Sequence, residues 1–159
     1  MKNYGRNRTL ALVDVENLVG APNLGPEGVR EVVSAVHSAF GTIGDPSLYP
    51  VVGCSHFNAG VVMFNWPGAR VVLGSGPDGA DLALIDVIKS ENVTARFGRV
   101  VVASGDGIFA PVVTELQSCG LEVEVLVGRG RIAHDLYCGC KDVRYLPLSP
   151  ADFLDGAHV

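Results

Sequence analysis

Short apolar runs alternate with amphipathic segments along this sequence, and the alternation restricts the fold more than any other feature. Residues 9–13 and Arg99–Ala103 are almost entirely apolar, as expected of strands covered on both faces of a parallel sheet. Between such runs, Val29, Val32 and Val36 recur at helical spacing and give one apolar stripe. The pattern predicts βαβ units and an α/β fold around a mainly parallel central sheet of five or six strands.

Glycine, proline and charged residues between the apolar runs locate the individual elements. Strands are predicted at residues 9–13, 49–52, 70–73, 99–103, 121–127 and 143–146. Helices are predicted to begin near Pro26, His56, Asp78 or Gly79, Gly107 and Arg131. On the third of these helices, Leu82, Ile85 and Ile88 are expected to face the core. Glu122 and Glu124 alternate along the fifth strand, which predicts one wetter face and a position near a sheet edge.

The length and composition fit one globular domain spanning residues 1–159, with 48% apolar and 18% charged residues. The net charge of −5 would repel nucleic acid and argues against a non-specific DNA-coating protein. It does not exclude an enzyme, because bound divalent cations reverse the local sign of an acidic site. The basic residues Arg129, Arg131 and Lys141 are either a grip for an RNA backbone or part of a solvated surface.

Cysteine spacing and hydropathy bear on the cellular location. The four cysteines form no CxxC pair, so we interpret them as reduced thiols, with a zinc site as the less favoured alternative. No uncharged stretch is long enough for a signal peptide or a membrane span. We therefore expect a cytoplasmic protein with no membrane partner. Its richness in apolar residues is compatible with a homodimer.

Aspartates follow three of the predicted strands. Asp14 follows the first strand and Asp106 the fourth, while Asp81 lies beyond the glycine-rich turn after the third. In open α/β sheets the carboxyl ends of the strands form the ligand-binding edge, and neighbouring strands lie about 4.8 Å apart. Carboxylates that close do not ionise together without cost, and Mg²⁺ or Mn²⁺ bound to their oxygens removes that cost. The sequence therefore predicts a metal site at this edge.

The aspartates of the predicted middle helix are not equivalent. Asp78 and Asp81 are three residues apart and share a face, whereas Asp86 lies roughly 140° around the helix from Asp81. Asp81 is the preferred metal ligand. Asp78 and Asp86 are candidates to orient the ligands without contacting the metal themselves. For Asp78 and Asp81, the alternative is a favourable interaction with the helix dipole in the first turn.

Three polar residues near the first and fourth strand ends complete the predicted site. Asn17 and Ser104 are candidates to hydrogen-bond a phosphate or to orient a carboxylate, and the alternatives are a helix cap for Asn17 and a turn for Ser104. Glu16 is expected to point away from Asp14 and to be a weak ligand.

Three motifs in this order resemble the NYN domain, a branch of the PIN-like nuclease superfamily that includes LabA-like proteins. They are LVDVENL at residues 12–18, GADLALID at 79–86 and VASGDGIFAP at 102–111. The resemblance extends over nearly the whole chain and implies a three-layer α/β/α sandwich. It also implies a divalent-metal site formed by Asp14, Asp81 and Asp106, with Asn17 as the asparagine of the first motif, and hydrolysis of RNA by a metal-activated water.

The chain departs from the resembled pattern at one position of the third motif. Many such proteins have SGDxDF there, and the second aspartate is replaced by Ile108. The spacing between Asp81 and the following aspartate is also one residue shorter than in many relatives. The first departure, Ile108, favours an alternative, a weak or inactive PIN-like module that binds RNA or a protein partner. A different α/β enzyme acting on a nucleotide or phosphate ester is the third hypothesis.

The leading hypothesis from the sequence is a ribonuclease that requires Mg²⁺ or Mn²⁺. Asp14, Asp81 and Asp106 would bind the metal, and Asn17 would act with them in catalysis.

Overall fold

Six parallel strands form one sheet in the computed structural model, which describes residues 7–40 and 47–149. The strands are β1 (Thr9–Asp14), β2 (Leu48–Cys54), β3 (Arg70–Leu73), β4 (Arg99–Ala103), β5 (Glu122–Val127) and β6 (Asp142–Tyr145). Their order is β3-β2-β1-β4-β5-β6, and every neighbouring pair is parallel. The predicted parallel sheet is confirmed, and β1 and β4 are neighbours.

Helices cover both faces of the sheet and give three layers. They are α1 (Val15–Val19), α2 (Pro26–Phe40), α3 (Ala59–Asn65), α4 (Gly79–Ser90), α5 (Val93–Arg96), α6 (Ala110–Ser118) and α7 (His134–Gly139). Buried residues of α1, α2 and α3 form one core with one face of the sheet, and those of α4 to α7 form a second core with the other. Within the described ranges, no helix combines the length and apolar character needed to cross a membrane.

Strand β1 contributes to both cores because its side chains alternate between the two faces. Leu10 and Leu12 pack towards α4 and α6, whereas Ala11 and Val13 pack towards α1 and α2. All four are fully buried. This two-sided burial explains why the first strand is apolar at successive positions and why its polar residue, Asp14, comes at the strand end.

One residue predicted to lie on the core side of α4 is exposed. Leu82 faces solvent, while Leu84 and Ile85 are buried and Ile88 packs against the core. The buried stripe follows the helical spacing from Asp81 through Leu84, Ile85 and Ile88, so the prediction for Leu82 was wrong by a fraction of a turn. This stripe turns Asp81 inwards at the first turn of α4.

The prediction of a wet face on β5 was wrong for Glu124. This side chain is buried and forms ion pairs with Arg99 of β4 and Arg144 of β6. Strand β5 is not an edge strand, because β6 pairs with its outer side. The flanking strands therefore supply the cations that allow a carboxylate to be buried there.

Candidate metal centre

The candidate site lies at the carboxyl edge of the sheet, between β1 and β4. The chain builds β2 and β3 on one side of β1, and then crosses over to build β4, β5 and β6 on the other. Such a reversal of strand order opens a crevice at the strand ends, where ligands bind in open α/β sheets. Asp14 ends β1, Asp106 follows β4, and both line a pocket of about 240 Å³ at this position.

Asp14 ends the first strand because its side chain caps the next helix. Its Oδ1 accepts the backbone N–H of Asn17 at 3.4 Å, as an N-cap does in the first turn of a helix. Its Oδ2 accepts the hydroxyl of Ser104 at 3.0 Å. Asp14 is only 4% exposed, and these two bonds fix its carboxylate at the bottom of the pocket.

The loop between β3 and α4 carries two more aspartates into the pocket, and two glycines shape it. A Cβ at Gly74 would lie 2.0 Å from the carbonyl oxygen of Gly79, so the two backbone segments meet at a distance that only glycine allows. Asp78, just before α4, has a left-handed backbone conformation with φ 58°. The tight loop presents Asp78 and the first turn of α4, with Asp81, to the strand ends.

Three carboxylates converge within reach of one cation. Oxygens of Asp78, Asp81 and Asp106 lie within 4.8 Å of one another, and the Asp81 carboxyl is also hydrogen-bonded to Asp14. Burial, the hydrogen bond to Asp14 and the negative charges of Asp14 and Asp106 together raise the pKa of Asp81 to about 9. Of the residues predicted as ligands, the structure thus brings together Asp14, Asp81 and Asp106, and it adds Asp78.

The pocket holds an excess of negative charge that its own side chains do not neutralise. The carboxylates lining it are Asp14, Glu16, Asp78, Asp81 and Asp106, and no lysine or arginine lines it among the residues that the structure describes. A bound proton or an external cation is then the remaining source of positive charge. Carboxylate oxygens are the donors that Mg²⁺ and Mn²⁺ prefer, so the residues present fit these ions.

Asn17 lines the pocket and holds its wall in place, whereas Ser104 lies behind the Asp14 carboxylate. The Asn17 Oδ1 accepts the backbone N–H of Gly105 at 2.9 Å and fixes the loop after β4 against α1. Ser104 is fully buried, and its hydroxyl donates to Asp14 and accepts the N–H of Asp106 at 3.1 Å. The suggested phosphate contact of Ser104 was therefore wrong, and the suggested orientation of a carboxylate fits its bonds.

Glu16 was predicted to point away from Asp14, and that prediction was wrong. Side chains two residues apart share a face even in a continued strand, and here α1 begins at Val15 and places Glu16 in the lining of the same pocket as Asp14. Glu16 accepts the backbone N–H of Ser55 at 2.6 Å and the side-chain amide of Asn58 at 3.1 Å. The sequence did carry a signal for this helix, since Asp14 is a residue type that caps helix N-termini and can accept the backbone N–H of Asn17.

Three residues proposed from the sequence lie elsewhere. Asp86 is exposed and does not line the pocket, since the buried stripe of α4 runs along another face. Arg129 is almost fully buried, bonded to Glu31 at 2.5 Å and to the carbonyl of Ser149, so it is not available to RNA. Lys141 precedes β6 and therefore lies at the amino edge of the parallel sheet, opposite the pocket.

Arg131 and Ile108 remain near the carboxyl edge. Arg131 is exposed, follows β5, and its backbone lies against Gly105 in the loop after β4. Ile108 packs against the core formed with α4 to α7, and its backbone N–H donates to the Asp106 carboxylate at 3.0 Å. At the position where the resembled motif has an acid, this chain has Ile108, which supports the Asp106 carboxylate through its backbone N–H.

Comparison with known proteins supports the fold and leaves the chemistry open. No family model matches the chain, and no curated protein matches it in sequence. The solved structure of a protein of unknown function from Vibrio parahaemolyticus is similar, with a TM-score of 0.53 and 17% identity. The match covers 91% of this chain and 96% of that one, and at such identity it concerns the fold alone.

Proposed function

We propose that this chain is a ribonuclease dependent on Mg²⁺ or Mn²⁺, similar to the NYN domains of the PIN-like superfamily. The observation that carries the proposal is the convergence of Asp78, Asp81 and Asp106 on one point at the strand ends, with Asp14 against Asp81. A buried aspartate with a raised pKa at a ligand-binding edge is typical of a functional site.

The proposed ligands are the aspartates of the pocket. Asp81 and Asp106 belong both to the predicted set and to the cluster of converging oxygens. Asp14 is retained as a predicted ligand through its contact with Asp81, and Asp78 is added. When bound, Mg²⁺ or Mn²⁺ supplies Lewis-acid polarisation of a phosphoryl oxygen and a water of lowered pKa. The protein's own part is to fix the carboxylates, through Ser104 on Asp14 and the backbone N–H of Ile108 on Asp106.

The surroundings of the pocket agree with an intracellular enzyme that acts on RNA. Arg131 is the remaining proposed contact for the RNA backbone, since it is exposed at the carboxyl edge. All four cysteines are free thiols, as expected in the reducing cytoplasm that we propose as its location.

A second candidate is a PIN-like module that binds RNA or a protein without cleaving RNA. The observation that favours it is Ile108, which packs into the core at the position where the resembled motif has a further acid. The pocket then has one carboxylate fewer to hold a second ion or to position water.

Metal titration followed by RNA incubation separates the two candidates. We expect Mn²⁺ to raise the unfolding temperature of the wild type by mass action and Asp106→Asn to lose that shift. Asp142→Asn is the matched control, because Asp142 is an exposed aspartate at the opposite edge of the sheet. Cleavage of labelled single-stranded RNA by wild type with Mn²⁺, lost in Asp106→Asn, supports the nuclease. Binding of RNA or of a protein partner without cleavage favours the second candidate, and absence of a Mn²⁺ shift contradicts the metal site.

A further inference from the structure

The solvent side of helix α3 is apolar, together with the 3₁₀ turn His56–Asn58 that leads into it. Phe57 in the turn is 79% exposed, and Met63 and Phe64 on the helix are 51% and 85% exposed. The opposite side of α3 carries Val62, which is fully buried against the sheet. None of the seven residues of α3 is charged. A helix that is apolar on all sides normally lies in an interior, so a further surface is needed to cover this one.

The exposed apolar residues form one continuous face. Phe57, Gly60 and Phe64 follow one another at intervals of three and four residues, which places them on the same side of the helical segment. Met63 adjoins Phe64 there, and we call these four residues the α3 face. A phenylalanine side chain buries 150–250 Å², so the two rings present roughly 250–400 Å² of apolar surface. An exposed apolar patch of several hundred Å² indicates an interaction site.

Charge favours this face for contact between two copies of the chain. The net charge of −5 makes two copies repel each other over most of their surface. Residues 47–77, which include α3, contain a single charged residue, Arg70, and its guanidinium is paired with Glu91 at 2.6 and 2.7 Å. A contact made through the α3 face therefore brings no like charges together. Depletion of charge around aromatic residues and methionine is typical of the centre of a protein interface.

The order of large and small residues along the α3 face is complementary to its own copy. Gly60 lies midway between Phe57 and Phe64, and a Cβ there would meet no heavy atom within 4 Å. When two copies of α3 pack antiparallel about a two-fold axis near Gly60, Phe57 of each copy faces the partner's Phe64. The glycine then lies at the crossing point, where it lets the two backbones approach, and the rings pack on either side of it.

We propose that the α3 face is the contact of a two-fold homodimer in which α3 packs antiparallel on the α3 of a second copy. The proposal does not depend on the nuclease function. Each partner of a standard interface buries about 800 Å², and the two rings supply roughly a third to a half of that, with more polar residues at the rim. Ser55, just before the turn, lines the acidic pocket. The dimer therefore places the partner's Phe64 near the rim of each pocket.

Sedimentation equilibrium of the full chain over a series of concentrations tests the dimer. We expect wild type to dimerise, and Phe57→Glu combined with Phe64→Glu to raise the dissociation constant about thirtyfold or more, because like charges then face each other across the axis. Tyr137→Glu combined with Tyr145→Glu is the matched control. It changes the net charge equally at two exposed aromatics of α7 and β6, on the far side of the sheet, and should dimerise as wild type does. Circular dichroism checks that each variant is folded.

A charge exchange tests the antiparallel arrangement. Phe57→Lys combined with Phe64→Glu places opposite charges at facing positions, so this variant should dimerise at least about tenfold more tightly than the double glutamate variant. Phe57→Lys combined with Phe64→Lys makes the chain less negative but again places like charges at facing positions. It should therefore dimerise as weakly as the double glutamate variant, which separates the position of the charges from the net charge.

Three outcomes contradict the dimer. A wild type that stays monomeric over the whole series overturns it, and so does a double glutamate variant that dimerises as tightly as the control. A monomeric wild type that binds phosphatidylcholine vesicles through Phe57 and Phe64 makes the α3 face a lipid-binding surface and also overturns the dimer. Equal dissociation constants for the charge-exchange and double glutamate variants overturn the antiparallel arrangement. Stabilisation by Mn²⁺ tests the nuclease separately, because none of these variants alters a carboxylate of the pocket.

Discussion

Glu124 and Asp81 are both buried carboxylates, and the molecule surrounds them in opposite ways. Glu124 is 2% exposed within the sheet and lies between the guanidinium groups of Arg99 and Arg144. Asp81 is 7% exposed at the carboxyl edge, against other carboxylates, including Asp14. One site therefore contains its counter-charges, while the other contains more of the same charge.

The contrast indicates which acid serves the fold and which serves a ligand. An ionised group removed from water needs a partner, and the neighbouring strands of Glu124 provide it. The surroundings of Asp81 instead raise its pKa to about 9, through burial first and then through Asp14 and Asp106. An arrangement that costs stability in the absence of a ligand is a reason to infer that a cation completes it.

The strongest test of this comparison removes the counter-charges of Glu124. We expect Arg99→Met combined with Arg144→Met to lower the free energy of unfolding by about 3–5 kcal/mol, because a buried carboxylate loses both partners. Urea denaturation measures the change. Adding Glu124→Gln to the double variant should recover most of the loss, because no charge is then buried. If the double variant is as stable as wild type, Glu124 is not held by these pairs and the contrast fails.

The corresponding change at the other site should affect the ligand more than the fold. We expect Asp81→Asn to abolish stabilisation by Mn²⁺, which amounts to about 2.7 kcal/mol at a hundred times the dissociation constant. The metal-free variant should remain folded, since the asparagine amide can donate to Asp14 as protonated Asp81 does. Thermal unfolding with EDTA and with Mn²⁺ measures both effects. Retention of the Mn²⁺ shift would remove Asp81 from the ligand set.

The raised pKa of Asp81 gives a dependence of stability on pH that metal should suppress. The folded state keeps the proton up to a pKa of about 9, whereas the unfolded chain releases it near the ordinary value of 3.8. The contribution of Asp81 to stability is therefore fully present below pH 3.8 and is lost as pH rises towards 9. One group gives a slope of at most about 1.4 kcal/mol per pH unit.

Comparison of the wild type with Asp81→Asn isolates this contribution. In EDTA, the free energy of unfolding of the wild type should fall more steeply with pH between 5 and 9 than that of the variant, by up to about 1.4 kcal/mol per pH unit. Urea denaturation across this range measures the difference. Parallel curves would mean that the pKa of Asp81 has its ordinary value and that the neighbouring carboxylates do not raise it.

The parts of the fold that follow from local pattern were predictable from the sequence. The predicted bounds of β3 and β4 agree with the structure, because an apolar run with glycine on either side has few other conformations. The rule that ligands bind at the carboxyl ends of strands placed Asp14 and Asp106 at one edge, and they lie on adjacent strands because β1 pairs with β4.

The sequence could not reveal partners that come from distant segments. Glu124 looked solvent-facing because its cations lie on other strands, 25 residues before it in Arg99 and 20 after it in Arg144. Arg129 looked free because Glu31 lies 98 residues away. Asp78 was ranked below Asp81 because its left-handed backbone, which brings it to the cluster, depends on how the loop after β3 closes.

The smallest expected effect belongs to Asp86, which lies on the same helix as Asp81 and has the same type of side chain. It is exposed, lies outside the pocket, and its carbonyl accepts the hydroxyl of Ser90. We expect Asp86→Asn to change the free energy of unfolding, with or without Mn²⁺, by less than about 0.5 kcal/mol, as surface substitutions usually do. Calorimetric titration with Mn²⁺ should give the wild-type affinity.

This pair of variants separates the geometry of the pocket from the charge of the chain. Asp81→Asn replaces a carboxyl that keeps its proton up to a pKa of about 9 in the metal-free protein, whereas Asp86→Asn removes a negative charge from α4, so long-range attraction of Mn²⁺ weakens at least as much in the second variant. Only the first removes an oxygen from the cluster with Asp78 and Asp106. Equal losses of affinity would therefore mean that Mn²⁺ binding depends on net charge and not on the position of Asp81. The contrast between Glu124, which arginines neutralise, and Asp81, which no cation neutralises, would then have no measurable consequence for metal binding.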